Sequence, residues 1–101
     1  MTMLAAIHCL DVPGQPGLRD KHYDAHRAYL KSQTDVYLVM TGPLLDDAGD
    51  TRIGSLLIVQ ADDLETVRRF SDNDPFHTNG VFGEVRINPF IIANSNSVQS
   101  T

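Results

Sequence analysis

The chain has 101 residues, 42% of them hydrophobic and 21% charged, so it is long enough for one compact domain of ordinary globular composition. Eight lysines and arginines against thirteen aspartates and glutamates give a net charge of −5. The basic residues are also scattered, whereas nucleic acids and membrane surfaces are bound through clustered cations. We therefore expect neither as a partner.

The cellular location is suggested by the single cysteine and by the start of the chain. Cys9 is the only cysteine, so an internal disulfide and a cysteine-rich zinc site are both excluded. The first residues lack the basic segment of a signal peptide, and no apolar stretch approaches the roughly 20 residues that span a bilayer. The sequence therefore predicts a cytoplasmic protein.

The first half of the chain is predicted to form a strand, a helix and two further strands. Met3–Cys9 is short and apolar and leads into a loop with two prolines and two glycines. Leu18–Thr34 contains neither residue, and at about 100° per residue its aromatic, apolar and imidazole side chains share one arc, as in an amphipathic helix. Val36–Met40 is β-branched and aromatic and ends at Thr41–Pro43, where Gly42–Pro43 could also form a turn. Asp46–Asp50 is predicted to be the turn of a hairpin whose second strand is Ile53–Gln60.

The second half is predicted to contain one helix and one strand. Asp62 or Asp63 is a natural N-cap for a helix over Leu64–Asp72. Asn73–Phe76 breaks that helix, and the strict alternation of Glu84–Asn88 is typical of a half-exposed strand. The order strand, helix, strand, strand, helix, strand (βαββαβ) is the split βαβ arrangement of ferredoxin-like domains.

This order predicts an α+β fold in which a four-stranded antiparallel sheet carries two helices on one face. We expect the domain to occupy residues 1–93, with a polar C-terminal tail at residues 94–101. Several strand segments are apolar on both faces, yet two helices cover only one face. We therefore expect a homodimer packed through the open sheet face, which forms a dimeric α+β barrel.

His26 and Asp74 are the residues with the strongest indication of chemistry. His26 lies in the inward arc of the first helix, and imidazole exchanges protons near neutral pH. Asp74 precedes Pro75, which favours an extended backbone just past a helix end, where a carboxylate can orient an imidazole. Alternatively, His26 is only a packed, hydrogen-bonded residue and Asp74 only a turn-former.

A metal site is the competing interpretation. His22 and His26 are four residues apart on one helix face, a spacing at which two imidazoles can share an ion, and Asp74 and His77 could add ligands. The glutamate that usually follows the first histidine of such a motif is missing. A His-x-x-x-His pair alone is weak evidence, so we expect no metal. The sequence also lacks a glycine-rich phosphate loop and a Gly-x-Ser-x-Gly motif, so we expect neither a phosphate-bearing cofactor nor an activated serine.

Four further residues are predicted to bind a substrate. Gly42 and Pro43 follow the second strand, and a glycine there lets a ligand approach the backbone closely. Tyr29 and Phe76 are aromatic residues close in sequence to His26 and Asp74.

The sequence resembles the YciI-like, or YCII-related, family of small α+β proteins over roughly residues 3 to 90. Each motif is short, and their order and spacing carry the resemblance. In chain order they are Arg19, His26-Arg27-Ala28-Tyr29-Leu30, Thr41-Gly42-Pro43-Leu44, Gly54, Ala61-Asp62-Asp63-Leu64-Glu65, Asp74-Pro75-Phe76, Gly80 and Glu84-Val85-Arg86-Ile87-Asn88-Pro89-Phe90.

The resemblance implies a ferredoxin-like fold, a dimeric α+β barrel and a cleft with a His–Asp pair, for which His26 and Asp74 stand at the matching positions. The family is similar to muconolactone isomerase-like proteins, and carbon–halogen lyase activity on chlorinated hydroxyquinols has been attributed within it. The chain departs from the family at Arg27, where an apolar residue is common, and at Ser32–Asp35, which lacks a glycine turn. These departures concern the cleft lining and the substrate.

Two functions are compatible with these features. The first is a cofactor-independent lyase or isomerase that uses the His26–Asp74 pair on a small cyclic or aromatic substrate. The second is a non-catalytic small-ligand binder or accessory dimer, in which the same pair only fixes geometry. The two functions differ in whether a substrate can reach the His26–Asp74 pair, because a catalytic pair needs an open pocket whereas a structural pair is sealed.

Overall fold

The computed structural model describes residues 2–99 and contains one four-stranded sheet with helices packed on it. The elements are β1 (Met3–Asp11), α1 (Leu18–Lys31), β2 (Tyr37–Leu45), β3 (Arg52–Ala61), α2 (Leu64–Asp72), α3 (Pro75–Thr78) and β4 (Phe82–Phe90). The strand order is β2-β3-β1-β4, and all neighbouring strands are antiparallel. This confirms the predicted α+β ferredoxin-like fold.

The hydrophobic core lies between the sheet and the helices on one face. Alternate residues of β1 point into it, so Ala5, Ile7 and Cys9 are almost fully buried, as the two-residue period of a strand requires. Val67 and Phe70 of α2 pack against them, and residues of α1 complete the cluster. Both long helices therefore cover the same face, and none of residues 2–99 forms a helix or strand that covers the opposite face of the sheet.

Helix α1 begins where predicted but ends at Lys31 instead of Thr34. The hydroxyl of Ser32 donates to the carbonyl of Tyr29 at 2.8 Å, and the side-chain amide of Gln33 donates to the same carbonyl at 3.0 Å. These side chains take over a carbonyl that the next helical turn would have used, and such competition favours a helix end. The prediction of a longer helix is therefore wrong by three residues.

Strand β2 runs five residues past Met40, where the sequence predicts that it ends. Pro43 pairs with Ser55 and Gly42 pairs with Leu56, so the alternative of a turn at Gly42–Pro43 is wrong. Proline lacks an N–H, but β2 is an edge strand of the sheet, where an outward-facing N–H would have had no partner strand. The chain reverses at Asp46–Thr51, in agreement with the predicted turn at Asp46–Asp50, and Asp46 accepts hydrogen bonds from two backbone amides there.

Helix α2 has the predicted bounds, and its N-cap is Asp63, which accepts from the amide of Thr66 at 2.8 Å. The segment predicted as a helix break contains a further helical turn, α3. Asp74 caps it from an extended backbone (φ −62°, ψ 128°), and Pro75 occupies the first turn, where its missing N–H is not needed.

Beyond β4, residues 91–99 form neither helix nor strand, and the last two residues of the predicted polar tail lie outside the described part. Within residues 2–99, no helix combines the length and the apolar character that a membrane span requires.

Candidate active site

A buried histidine–aspartate pair lies where α1 meets α3. Nδ1 of His26 and Oδ1 of Asp74 are 2.7 Å apart, and both residues are less than a tenth exposed. The same carboxylate oxygen accepts from the amide of Phe76 at 2.9 Å, so the cap of α3 also fixes the position of the carboxylate. The structure thus brings together the two residues that the sequence singles out, 48 positions apart.

The pair leaves the second imidazole nitrogen of His26 free to react. A carboxylate only accepts hydrogen bonds, so Nδ1 carries the proton and Nε2 of the neutral ring has a lone pair. In the described residues only Nδ1 of this ring has a hydrogen-bond partner, and no buried side-chain nitrogen or oxygen lacks one. Nε2 is therefore accessible, and His26 lines a cleft beside α1.

Phe76 is the surface on which the imidazole rests. Its ring lies parallel to that of His26, with 3.9 Å between ring centres and 7° between planes, and Phe76 is fully buried. The guanidinium carbon of Arg19 lies 4.7 Å from the centre of the same ring. The single turn α3 therefore supplies both the carboxylate and the aromatic support of His26.

Arg19 is held beside the histidine by a bidentate ion pair. Its Nε and one terminal nitrogen donate to the two carboxylate oxygens of Asp11 at 2.8 and 2.9 Å. The terminal nitrogen also donates to the hydroxyl of Ser55 at 2.9 Å. This fork geometry fixes the guanidinium plane, so Arg19 and Ser55 form a preorganised polar wall.

The cleft lies between α1 and the β2–β3 half of the sheet and has a volume of about 380 Å³. The strand residues beneath α1 here, among them Thr41, Pro43 and Ser55, are small, which leaves room between the helix and the sheet. Its lining contains no aspartate or glutamate. It consists of Arg19, Tyr23, His26, Arg27, Leu30, Lys31, Leu38, Thr41, Gly42, Pro43, Arg52, Ser55 and Leu57.

The four predicted substrate-binding residues are divided between the cleft and the core. Gly42 and Pro43 line the cleft with His26. Phe76 lies beneath His26 and is fully buried. Tyr29 is outside the lining, stacks on Phe70 and donates its hydroxyl proton to the carbonyl of Phe70 at 2.8 Å.

The histidines of the alternative metal site are not assembled into a ligand set. His77 is exposed on α3, whereas His26 is buried against Asp74. Within residues 2–99, no group of three or more histidine, cysteine, aspartate or glutamate side chains is arranged to hold a metal ion.

Cys9 lies close enough to the ion pairs for their charges to act on it. Burial, followed by the negative charge of Asp74, raises the pKa of Cys9 to about 12. The thiol therefore stays protonated at neutral pH and behaves as a small apolar core residue.

Several residues of the cleft have no signal in the sequence that marks them as a site. Arg19 is singled out only as part of a family motif, and nothing in the sequence singles out Ser55. Tyr23 and Arg27 are four residues apart on α1, so helical periodicity predicts their contact but not the contact of Tyr23 with Arg52. Ser55 and Arg52 reach the cleft because β3 passes beside α1, which is a feature of the tertiary structure.

Tyr23 is expected to titrate below the usual range of tyrosine. Arg27 donates a hydrogen bond to its phenol oxygen at 2.9 Å and, together with the positive charge of Arg52, lowers the pKa of Tyr23. A tyrosinate difference spectrum between wild type and Tyr23→Phe measures this pKa, and Arg27→Gln should raise it. A Tyr23 pKa that does not respond to Arg27→Gln would contradict the hydrogen bond.

Comparison with known proteins places these features in a family. The model of the YCII-related domain matches residues 3–91 of the chain. Among solved structures, the 5-chloro-2-hydroxyhydroquinone dehydrochlorinase of Burkholderia phenoliruptrix, in complex with 2,5-dihydroxybenzoquinone, is 32% identical to the chain. The match covers 88% of this chain and 94% of that chain, with a TM-score of 0.81. A search of curated proteins gives no match.

More distant structures share only the fold. A cofactor-independent oxygenase from Streptomyces nogalater is 15% identical, with a TM-score of 0.58 over 94% of this chain and 97% of its own. A dimeric ferredoxin-like protein of unknown function from Thermobifida fusca is 11% identical, with a TM-score of 0.55 over 91% of this chain and 92% of its own. With the family match over 3–91 and the close agreement with the dehydrochlorinase, the chain belongs to the YCII-related domain family.

Proposed function

We propose that the chain is a small-molecule enzyme of the lyase or isomerase type, in which His26 transfers a proton and Asp74 orients the imidazole ring of His26. The observation that carries this proposal is the 2.7 Å contact between Nδ1 of His26 and Asp74, made by a ring whose other nitrogen is accessible. A purely structural pair would be sealed, whereas His26 lines a cleft large enough for a small ligand. This access favours the enzyme over the non-catalytic binder.

In the proposed reaction, Nε2 of His26 removes a proton from the substrate, and the carboxylate of Asp74 stabilises the imidazolium. The electron pair of the broken bond moves into the ring system, and negative charge develops on a substrate oxygen. Arg19 and Ser55 supply preorganised donors for that oxyanion. The electron pair then expels a leaving group, which is a lyase reaction, or takes a proton back from His26 at another atom, which is an isomerase reaction.

Gly42 lies within β2 and is paired with Leu56 of β3, so it belongs to the sheet and not to a loop. Gly42 and Pro43 instead contribute a smooth wall to the cleft, against which a flat ring can lie.

The substrate class follows from the size of the cleft and from the 32% identical relative. A volume of about 380 Å³ is at the lower end of ligand pockets, which span about 300–1,000 Å³, and suits a single ring. The relative acts on a chlorinated hydroxyhydroquinone and is complexed with a dihydroxybenzoquinone. We therefore propose hydroxylated ring compounds as substrates.

The experiment measures transfer of a substrate proton, which both the lyase and the isomerase reaction require. Chlorinated hydroxyquinols and muconolactone-like acids are incubated with the protein in deuterated water, and exchange of substrate hydrogens and release of chloride are monitored. Wild type should catalyse exchange or release, and His26→Asn should lower the rate by about 10²–10⁴-fold. Equal rates for the two proteins would refute the proposed role of His26.

We also propose that the functional unit is a homodimer joined through the open sheet face. The cross-strand register puts one row of side chains on this face, and most of its apolar members are half-buried even without a partner. The half-buried members are Leu4, Ala6, Leu10, Leu56 and Ile58, and Met40 of β2 lies on the same face but is exposed. The similar protein from Thermobifida fusca is described as dimeric, which supports this assembly.

Sedimentation should give twice the mass of one chain at micromolar concentration. Met40 is 62% exposed in the isolated chain, so Met40→Glu should disrupt the dimer without disturbing the core. Val98→Glu, in the tail and 92% exposed, makes the same chemical change away from the sheet and should leave the dimer intact. A monomeric wild type would contradict the proposed assembly.

A further inference from the structure

One side of the cleft carries a row of positive charge along α1 and the start of β3. Tyr23, Arg27 and Lys31 are spaced four residues apart on α1, so they follow one face of the helix, and Arg52 of β3 lies across from Tyr23. All four line the cleft. We call these four residues the cationic rim.

None of the three cations of the cationic rim forms an ion pair with a carboxylate within the described residues. Arg19, which lines the same cleft, is paired with Asp11, whereas Arg27, Lys31 and Arg52 have no such partner there. Three cations that share one cleft repel one another, and a bound anion would offset that repulsion.

Tyr23 holds the two guanidinium groups in place. Its phenol oxygen accepts from Arg27 at 2.9 Å, and the guanidinium carbons of Arg27 and Arg52 each lie 5.7 Å from the centre of its ring. Contacts of this kind reduce the conformational freedom that long side chains lose on binding a ligand. The phenol proton donates to no acceptor among the described residues, so it is available to a ligand as well.

We propose that the cationic rim binds a carboxylate of the substrate, so that the ligand is a small ring carboxylic acid whose ring extends towards His26. Guanidinium forks match the planar carboxylate, because two parallel N–H donors meet its two oxygens. The orientation of the ring towards His26 rests on the proposed function. The inference adds to that function by naming a carboxylate as a second group of the substrate that the protein binds.

The experiment compares two probes that differ by one carboxylate, 2,5-dihydroxybenzoic acid and hydroquinone, by isothermal titration calorimetry. Wild type should bind the acid at least about tenfold more tightly than the neutral compound, and added salt should reduce this difference in affinity. The double variant Arg27→Gln/Arg52→Gln should bind both compounds with similar affinity. Arg27→Lys, which keeps the charge but not the fork, should retain part of the preference.

Lys21→Gln is the matched control, because Lys21 is an exposed cation on the same helix but does not line the cleft. This variant should keep the full preference for the acid, and thermal melts should show that each variant is folded. Similar affinity of wild type for the two probes, including no measurable binding of either, would overturn the inference. A preference that survives in the double variant would also overturn it.

The variant His26→Asn separates this inference from the proposed function. It should lose proton transfer yet keep the preference for the acid, because His26 is not part of the cationic rim. If wild type prefers the acid through the rim but never exchanges a substrate proton, the inference stands and the proposed function fails. If wild type exchanges protons of neutral hydroquinones without preferring acids, the proposed function stands and the inference fails.

Discussion

Replacing Asp74 with asparagine is expected to lower the rate of substrate proton transfer by at least about a hundredfold. Asparagine has nearly the same shape and can still accept from the amide of Phe76, so the cap of α3 is retained. It lacks the negative charge that stabilises the imidazolium of His26 in the transition state. Steady-state rates and thermal melts of the two proteins measure the two effects separately.

Two further variants complete this prediction. Asp72→Asn makes the same change on an exposed residue at the end of α2 and should leave both the rate and the stability close to wild type. Asp74→Ala removes the acceptor of both Nδ1 of His26 and the amide of Phe76, and should lower the free energy of unfolding by about 2–3 kcal/mol. A rate unchanged in Asp74→Asn would show that the pair is only structural.

Replacing Gly54 with alanine is expected to destabilise the protein by about 3 kcal/mol, the upper end of the usual cost of overpacking. A Cβ at this position would overlap the carbonyl oxygen of Cys9 on the neighbouring strand. The overlapping atom belongs to the backbone, so the clash can be relieved only if β1 and β3 move apart. The two strands contribute core residues at this point, and Ser55 is the next residue of β3. Chemical denaturation monitored by circular dichroism measures the loss, which is large against the 5–15 kcal/mol of a typical domain.

Gly42→Ala is the control for Gly54→Ala. Gly42 lies on the adjacent strand, and a Cβ there would meet no atom within 4 Å. Alanine also restricts the unfolded chain, so the free energy of unfolding should stay within about 1 kcal/mol of wild type. Equal losses for the two variants would contradict the close approach of β1 and β3 at Gly54.

Periodicity and caps were sufficient to predict the fold because each element depends on local signals. The alternation of polar and apolar residues in β4 and the N-cap of α2 can each be recognised from a few adjacent residues. The end of α1 and the course of β2 were predicted wrongly, because they depend on non-local or competing contacts. Whether Pro43 continues a strand depends on whether that strand is at an edge, which the segment itself does not reveal.

The site was predictable only in part for the same reason. An inward position on α1 singles out His26, and the Asp-Pro step singles out Asp74, so both candidates come from local patterns. The remainder of the cleft depends on how far α1 stands from β2 and β3. Helical periodicity indicates which way Arg27 and Lys31 point, but not that Arg52 of β3 comes to lie beside them.

The buried His26–Asp74 pair and the cationic rim share no residue, so the two can change independently as such a protein evolves. His26 and Asp74 are packed into the core and capped by backbone, so few neighbouring substitutions are tolerated around them. Arg27, Lys31 and Arg52 are exposed, and their exchange requires no repacking. Descendants of one ancestor can therefore change the charge of the cleft through a handful of nearly neutral surface substitutions while they inherit the same His–Asp pair.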